Sequence, residues 1–138
     1  MTSHVHERPL SDLTKNQKLV FDALSSADGP LSAYTILDQL RDEGFRAPLQ
    51  VYRALDKLQE LGLVHRLESL NSFIACAHPH CASHGMIGFA ICENCGQVEE
   101  FSDAEIETRL GTWMRERAFK PRKTTVELRG LCATCSTH

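Results

Sequence analysis

Residues 48–76, PLQVYRALDKLQELGLVHRLESLNSFIAC, decide the fold of the first half of the chain. Their apolar side chains recur at helical spacing: Val51, Ala54, Leu55 and Leu58. Gly62 then stands where a glycine commonly follows a helix. The next two segments, LVHRLES and NSFIACA, flank a tight turn and predict a β-hairpin. This stretch is therefore predicted to form one helix followed by two antiparallel strands.

Two more amphipathic helices are predicted before this stretch. The first lies in residues 13–29, where Thr14 is the predicted N-cap. The second lies in residues 32–44, where Ser32 is the predicted N-cap and Gly44 the stop. Their apolar faces comprise Val20, Phe21 and Leu24, then Ala33, Ile36, Leu37 and Leu40. Three helices and a hairpin are the layout of a winged helix-turn-helix, whose third helix is the recognition helix.

The outward face of the third helix carries residue types that contact DNA. Placing Val51 at the centre of the buried face turns Arg53 outward, with Lys57 and Gln50 beside it and Tyr52 on the shoulder. Such side chains reach bases and phosphates in a major groove. The alternative is an ordinary solvated face. A net charge of −3 and a pI of about 6.1 argue mildly against nucleic acid but do not locate the basic residues.

The second half of the chain predicts the order β-β-α-β. Strands are expected in residues 86–93, 97–101 and 123–130, with a helix from residue 102 to 118. Ser102 and Glu105 form an S-x-x-E capping box at the start of this helix. The apolar residues of the helix are Ile106, Leu110, Trp113 and Met114, and those of the last strand are Val126 and Leu128. Such a unit is too small to bury a good core, so it requires a staple or a partner subunit.

Two C-x-x-C pairs supply that staple. The pairs consist of Cys92, Cys95, Cys132 and Cys135. Each turn presents two thiolates, and two turns complete a tetrahedral Cys₄ zinc site. The alternative is a redox dithiol, but thioredoxin-like pairs begin a helix, whereas Cys92 ends a predicted strand and Cys95 precedes Gly96.

A second group of metal-binding residue types lies near the junction of the two halves. It comprises His65, Cys76, His78, His80, Cys81 and His84, followed by Glu99 and Glu100. Mixed nitrogen, sulfur and oxygen donors suit Zn²⁺, and a soft thiolate disfavours a hard cation. A zinc hydrolase could use the same donors, but the sequence has no H-E-x-x-H motif.

The segments VYRALDKLQELGLVHRLES, NSFIAC, ICENCGQVEEF and GLCATC resemble the ferric uptake regulator family, and within it the zinc sensors. The resemblance implies a dimeric, metal-dependent DNA-binding repressor in a bacterial cytoplasm, not an enzyme, with two zinc ions per chain. It implies DNA contacts by Tyr34, Tyr52 and Arg53, and structural zinc bound by the four paired cysteines. It assigns the regulatory zinc to His65, Cys76, His84 and Glu100. His78, His80, Cys81 and Glu99 are possible additional ligands.

These inferences give an α+β protein with three parts. Residues 1–77 are expected to form the winged-helix DNA-binding domain, residues 78–85 a hinge, and residues 86–138 the dimerisation domain. The expected partners are an operator duplex and a second copy of the chain, with no membrane and no small-molecule substrate. An iron-type histidine run is absent, which favours zinc, and a sensor of iron, manganese or peroxide is the alternative.

Overall fold

The computed structural model describes residues 12–76 and 86–137. The chain divides into two compact units, Met1–Ala82 and Ser83–His138. The predicted ligands His78, His80, Cys81 and His84 lie outside the described residues, as does the whole predicted hinge, residues 78–85. Within the described ranges, no helix is long and apolar enough to cross a membrane.

The first unit contains three α-helices: α1 (Lys15–Ser25), α2 (Ala33–Gln39) and α3 (Pro48–Glu60). Both predicted N-caps are confirmed, because Oγ1 of Thr14 accepts the N–H of Gln17 at 3.2 Å and Oγ of Ser32 accepts that of Thr35 at 3.1 Å. Gly62 follows α3 with a φ of 76°, a left-handed conformation that favours glycine.

One hydrophobic core holds these helices together. The predicted stripes of α2 and α3 are buried throughout, and Val20 and Leu24 of α1 join them. Phe45, between α2 and α3, is also buried. Phe21, also predicted on the apolar face of α1, is only partly buried against this core, so the helical period located the core except at this residue.

A β-hairpin follows α3, as the sequence predicts. Its strands are β1 (Val64–Leu67) and β2 (Ser72–Ala75), which pair antiparallel with His65 opposite Ile74. The segment before α2 joins this sheet, because the main chains of Leu31 and Phe73 exchange hydrogen bonds of 2.9 and 2.8 Å. The hairpin is thereby fixed to the helices of its own unit.

The second unit contains β3 (Ile87–Cys92), β4 (Val98–Phe101), α4 (Ala104–Glu116) and β5 (Thr125–Gly130). The strand order is β4-β3-β5, with β3 antiparallel to β4 and parallel to β5. Among the described residues of this unit, the buried apolar side chains come from the central strand and the residue before it: Met86, Ile87, Phe89, Ile91 and Cys92. The helix between β4 and β5 is the connection that two parallel strands require.

Two details of α4 differ from the sequence predictions. The N-cap is Asp103, not Ser102, because its carboxylate accepts the N–H groups of Glu105 at 2.9 Å and Ile106 at 3.1 Å. No residue of α4 is buried, and Ile106 and Trp113 are 42% and 50% exposed. Among the described residues of the second unit, the apolar face of α4 is therefore only partly covered, since Leu110 and Met114 are half-buried.

Candidate metal centre and nucleic-acid interface

Parallel pairing of β3 and β5 brings the two C-x-x-C turns together. Cys92 is the last residue of β3 and lies opposite Gly130, the last residue of β5. Both strands therefore end at the same edge of the sheet, and each runs into one cysteine turn. Ligand atoms of Cys92, Cys95, Cys132 and Cys135 all lie within 4.8 Å of one another. We call these four residues the cysteine cluster.

The cysteine cluster fits a tetrahedral zinc ion. Zinc–sulfur bonds of about 2.3 Å place the sulfurs of such a site about 3.8 Å apart, and the sulfurs of Cys95 and Cys132 are 3.8 Å apart. All four cysteines are free of disulfides. The N–H of Cys95 donates to the sulfur of Cys92 at 3.4 Å, and Nδ2 of Asn94 donates to that of Cys135 at 3.2 Å. These donors stabilise negative charge on the sulfurs, as metal-bound thiolates require.

The local hydrogen bonds make the four thiols unequal. The N–H of Cys95 does most to lower the pKa of Cys92, to about 6, and the N–H of Cys132 adds to this effect. The carboxamide of Asn94 lowers the pKa of Cys135, but the neighbouring sulfurs of Cys132 and Cys92 outweigh it and raise that pKa to about 11. The thiol of Cys92 therefore ionises more readily than that of Cys135, and a bound cation would offset the repulsion between thiolates.

The first unit contributes two of the predicted regulatory ligands. His65 lies on β1 and is buried, and Cys76 directly follows β2. The N–H of Cys76 donates to the carbonyl of Leu63 at 2.8 Å, which fixes the main chain there. A ring nitrogen of His65 and the sulfur of Cys76 lie within 4.8 Å of each other. Cys76 is disulfide-bonded in the structure, so a thiolate ligand at this position requires reduction.

The second unit contributes the predicted carboxylates. Glu99 and Glu100 are neighbours on β4, opposite Ala90 and Phe89 of β3. Successive strand residues point to opposite faces of the sheet, so only one of the two can face a given metal. Glu100 is half-buried, whereas Glu99 is exposed. The burial of Glu100 is consistent with its selection as the ligand.

Three of the predicted DNA contacts extend into solvent from the first unit. Tyr34 on α2 is 64% exposed. Arg53 and Lys57 on α3 are also exposed, and Lys57 forms a surface ion pair of 3.5 Å with Glu60. Such a pair contributes little to stability. These three side chains are therefore available to a ligand.

The other two predicted contacts are partly engaged within the unit. Tyr52 is half-buried, and its ring meets that of Phe73 edge to face at a centroid distance of 6.4 Å. Oε1 of Gln50 accepts the N–H groups of Arg46 at 2.6 Å and Ala47 at 3.0 Å. Helical periodicity predicted which way the side chains of Tyr52 and Gln50 point from α3, but it did not predict the ring contact of Tyr52 or the hydrogen bonds of Gln50.

A polar cleft that the sequence did not predict lies between α1 and α3. Its volume is about 290 Å³, and it is lined by Thr14, Asn16, Gln17, Gln50, Arg53 and Ala54. The T-x-x-Q spacing of Thr14 and Gln17 is a capping-box signal that could have drawn attention to this edge of α1. The cleft contains Arg53, so it belongs to the candidate nucleic-acid interface.

Comparison with known proteins decides the family. The sequence profile of the ferric uptake regulator family matches residues 12–129. The chain belongs to this family. A zinc uptake regulation protein of Escherichia coli (strain K12) is 40% identical over 124 residues, which are 89% of this chain and 72% of the relative.

Solved structures agree with this family assignment. A zinc uptake regulator complexed with zinc and DNA is 39% identical, with a TM-score of 0.83 over 89% of this chain and 82% of its own. The crystal structure of holo XcZur is 37% identical, with a TM-score of 0.81 over 91% of this chain and 87% of its own. The predicted family resemblance is confirmed.

Proposed function

We propose that this protein is a zinc-responsive transcriptional repressor of the ferric uptake regulator family that controls zinc uptake genes from the cytoplasm. The observation that carries the proposal is the likeness to the regulator complexed with zinc and DNA. The cysteine cluster supports it independently, because four sulfurs at this spacing suit zinc. The cluster would hold structural zinc, and a second ion would be the signal.

The first unit would bind DNA as a winged helix-turn-helix, with α3 as the recognition helix and the β1–β2 hairpin as the wing. The exposure of Arg53, Lys57 and Tyr34 supports this role. Arg53 would contact a base edge, and Lys57 and Tyr34 would contact the neighbouring backbone or bases. The partner is therefore a DNA duplex.

The second unit would join two chains. The exposed apolar side chains of α4 and β5 support this role, among them Ile106, Trp113 and Leu128. In the strand order β4-β3-β5, β5 is an edge strand, which a second copy could pair with or cover. A homodimer presents two recognition helices about 34–36 Å apart, so the operator would be pseudo-palindromic.

The regulatory zinc would be bound by His65, Cys76, His84 and Glu100. The proximity of His65 to Cys76 supports two of these ligands, and Glu100 would come from the second unit. Zinc held by both units would favour one orientation of the two, and that orientation would bind the operator. A shift from 1:99 to 99:1 requires about 5.5 kcal/mol of differential affinity. Four zinc bonds can supply that amount.

The regulatory site is tested by Cys76→Ser under reducing conditions. We expect zinc to fall from two ions per chain to one and operator affinity at saturating zinc to fall about 100-fold, since most of the zinc-induced shift is lost. Cys81→Ser is the matched control and should behave like the parent if Cys76 is the sulfur ligand. Unchanged affinity of Cys76→Ser with one zinc still bound would contradict the assignment. Replacing zinc with iron or manganese in the binding assay separates zinc sensing from the sensing of another metal.

The DNA interface is tested by Arg53→Ala. We expect a loss of about 1–3 kcal/mol in operator binding and relaxed base preference at one position of each half-site. Arg122→Ala is the control, because Arg122 is an exposed arginine of the second unit that lies outside α4 and β5. If Arg53→Ala, like the control, discriminates operator from random duplex as well as the parent does, Arg53 does not contact a base.

A further inference from the structure

Two glutamines in the cleft beside Arg53 have carboxamide groups whose orientation is fixed by the main chain. Oε1 of Gln50 accepts two N–H groups, at 2.6 and 3.0 Å. Oε1 of Gln17 accepts the N–H of Thr14 at 3.1 Å, while the N–H of Gln17 donates to Oγ1 of Thr14 at 3.2 Å. The partners of both side-chain atoms are donors, so these atoms must be the oxygens and not the nitrogens.

The fixed oxygen determines what each side chain can offer to a ligand. A glutamine reads adenine by donating and accepting at once, and this bidentate contact needs a free oxygen. Both oxygens are engaged by the main chain, whereas the described residues provide no acceptor for Nε2 of Gln50 or Gln17. Oε1 of Gln50 accepts two hydrogen bonds, so this carboxamide presents only an N–H₂ donor, whereas Oε1 of Gln17 accepts one and keeps a second lone pair.

Gln50 also positions the recognition helix. α3 begins after Ala47, whose side chain has no acceptor with which to cap the helix. The carboxamide of Gln50 reaches back to the N–H groups of Arg46 and Ala47 and so fixes the segment that leads into α3. Arg53 lies one turn further along the same helix and lines the same cleft.

We propose that Gln50, with Gln17 beside it, is a donor-only contact that recognises a hydrogen-bond acceptor of the operator next to the base contacted by Arg53. This inference rests on the proposed DNA-binding function and specifies the chemistry of its interface. The acceptor is a phosphate oxygen or an acceptor atom on a base edge, namely a purine N7, guanine O6 or thymine O4, and it is not adenine read through two bonds. Gln50 is thus a positioning residue for α3 and a contact to the operator, and it also determines base specificity where its acceptor lies on a base edge.

The test uses the full-length zinc-loaded protein and a duplex selected by it from random sequence. Gln50→Glu keeps the oxygen that caps α3 and removes the donor, whereas Gln50→Met removes both at similar length. Gln59→Glu, on the last turn of α3, controls for the added charge. We expect Gln50→Glu to melt within about 2 °C of the parent, because the cap remains. Its operator affinity should fall at least about 10-fold, and that of Gln59→Glu less than about 3-fold.

Substituted duplexes then identify the acceptor. Neutral methylphosphonates are placed one at a time in the backbone. On the bases, 7-deazapurines replace each purine, 6-thioguanine replaces each guanine and 4-thiothymine replaces each thymine, which removes or weakens each acceptor in turn. At one position the affinity of the parent should fall about 5- to 20-fold, and that of Gln50→Met less than about 2-fold. If Gln50→Met is insensitive to a methylphosphonate that weakens the parent, the acceptor is a phosphate, and if it is insensitive to a base analogue, the acceptor is on that base.

Two results would overturn the inference: Gln50→Met binding the unmodified duplex as well as the parent, or equal sensitivity of both proteins to every substitution. Failure of the parent to select any duplex would instead overturn the proposed function.

Discussion

The substitution Cys132→Ser should remove the metal from the cysteine cluster and unfold the second unit. Zinc is held in proteins by thiolate, imidazole and carboxylate ligands, and a serine hydroxyl is a poor substitute. Cys132 and Cys95 have the sulfur–sulfur distance of a tetrahedral site, so Cys132→Ser leaves an incomplete set of three. The first unit contains none of these four ligands and should keep its fold.

The size of the effect follows from the small core of the second unit. Among the described residues of this unit, the buried apolar side chains other than that of the cluster residue Cys92 are those of Met86, Ile87, Phe89 and Ile91. Burying four such side chains contributes about 6–12 kcal/mol in total. Structural zinc contributes on the order of 10 kcal/mol in small zinc-binding peptides. Loss of zinc therefore removes a stabilisation as large as that of the whole apolar core, so we expect the second unit of Cys132→Ser to be unfolded at 25 °C.

The single tryptophan allows this unit to be followed separately. Trp113 lies on α4, so its fluorescence during a urea titration reports the second unit. Hydrogen exchange of α1–α3 reports the first unit. We expect Cys132→Ser to bind one zinc fewer and to show no cooperative Trp113 transition. Ser136→Ala, in the same turn, should keep the parent's zinc content and transition.

The reasoning would be refuted by a Cys132→Ser protein whose Trp113 transition coincides with that of the parent. Such a result would mean that the apolar core and the sheet suffice without the metal. Loss of hydrogen-exchange protection in α1–α3 of Cys132→Ser would also contradict the reasoning, because the folding of both units would then depend on the same zinc.

Further predictions concern the stability of the second unit and are read from the same urea titration. A Cβ at Gly88 would lie within 2.6 Å of three ring carbons of Phe101, so Gly88→Ala should destabilise the unit by about 1–3 kcal/mol. Gly130→Ala, on the neighbouring strand with nothing within 4 Å of the added carbon, should cost less than about 0.5 kcal/mol, and equal losses would contradict the predicted clash. Asp103→Ala should cost about 1 kcal/mol through loss of the α4 cap, whereas Ser102→Ala should be nearly neutral. If Ser102→Ala lowers the free energy of unfolding more than Asp103→Ala does, Ser102 is the N-cap.

The helices, the hairpin and the cysteine cluster could be predicted because each is marked by a residue spacing or residue type that requires a particular backbone geometry. The apolar period of α3 defines a buried face, and Gly62 supplies the left-handed residue that ends the helix. The C-x-x-C spacing lets two sulfurs bind one ion. The proximity of the first cysteine pair to the second was therefore predictable before the strand order was known.

Other features depend on choices that the sequence leaves open. Ser102 and Asp103 are both good N-cap residues, and only the conformation of the chain decides between them. The apolar period of α4 identified a face, but nothing in the sequence states whether that face is buried within one chain or left for a partner. The direction of Gln50 followed from the helical period, but the capture of its oxygen by main-chain N–H groups did not.

Operator binding measured against zinc loading tests the central claim most directly. The reduced full-length protein, with one zinc retained in the cysteine cluster, is titrated with buffered free zinc while its affinity for the selected duplex is followed. We predict that a second zinc per chain raises this affinity at least about 100-fold and that removing that ion alone restores the weak state. Equal affinity for the duplex at one and two zinc ions per chain would contradict the account.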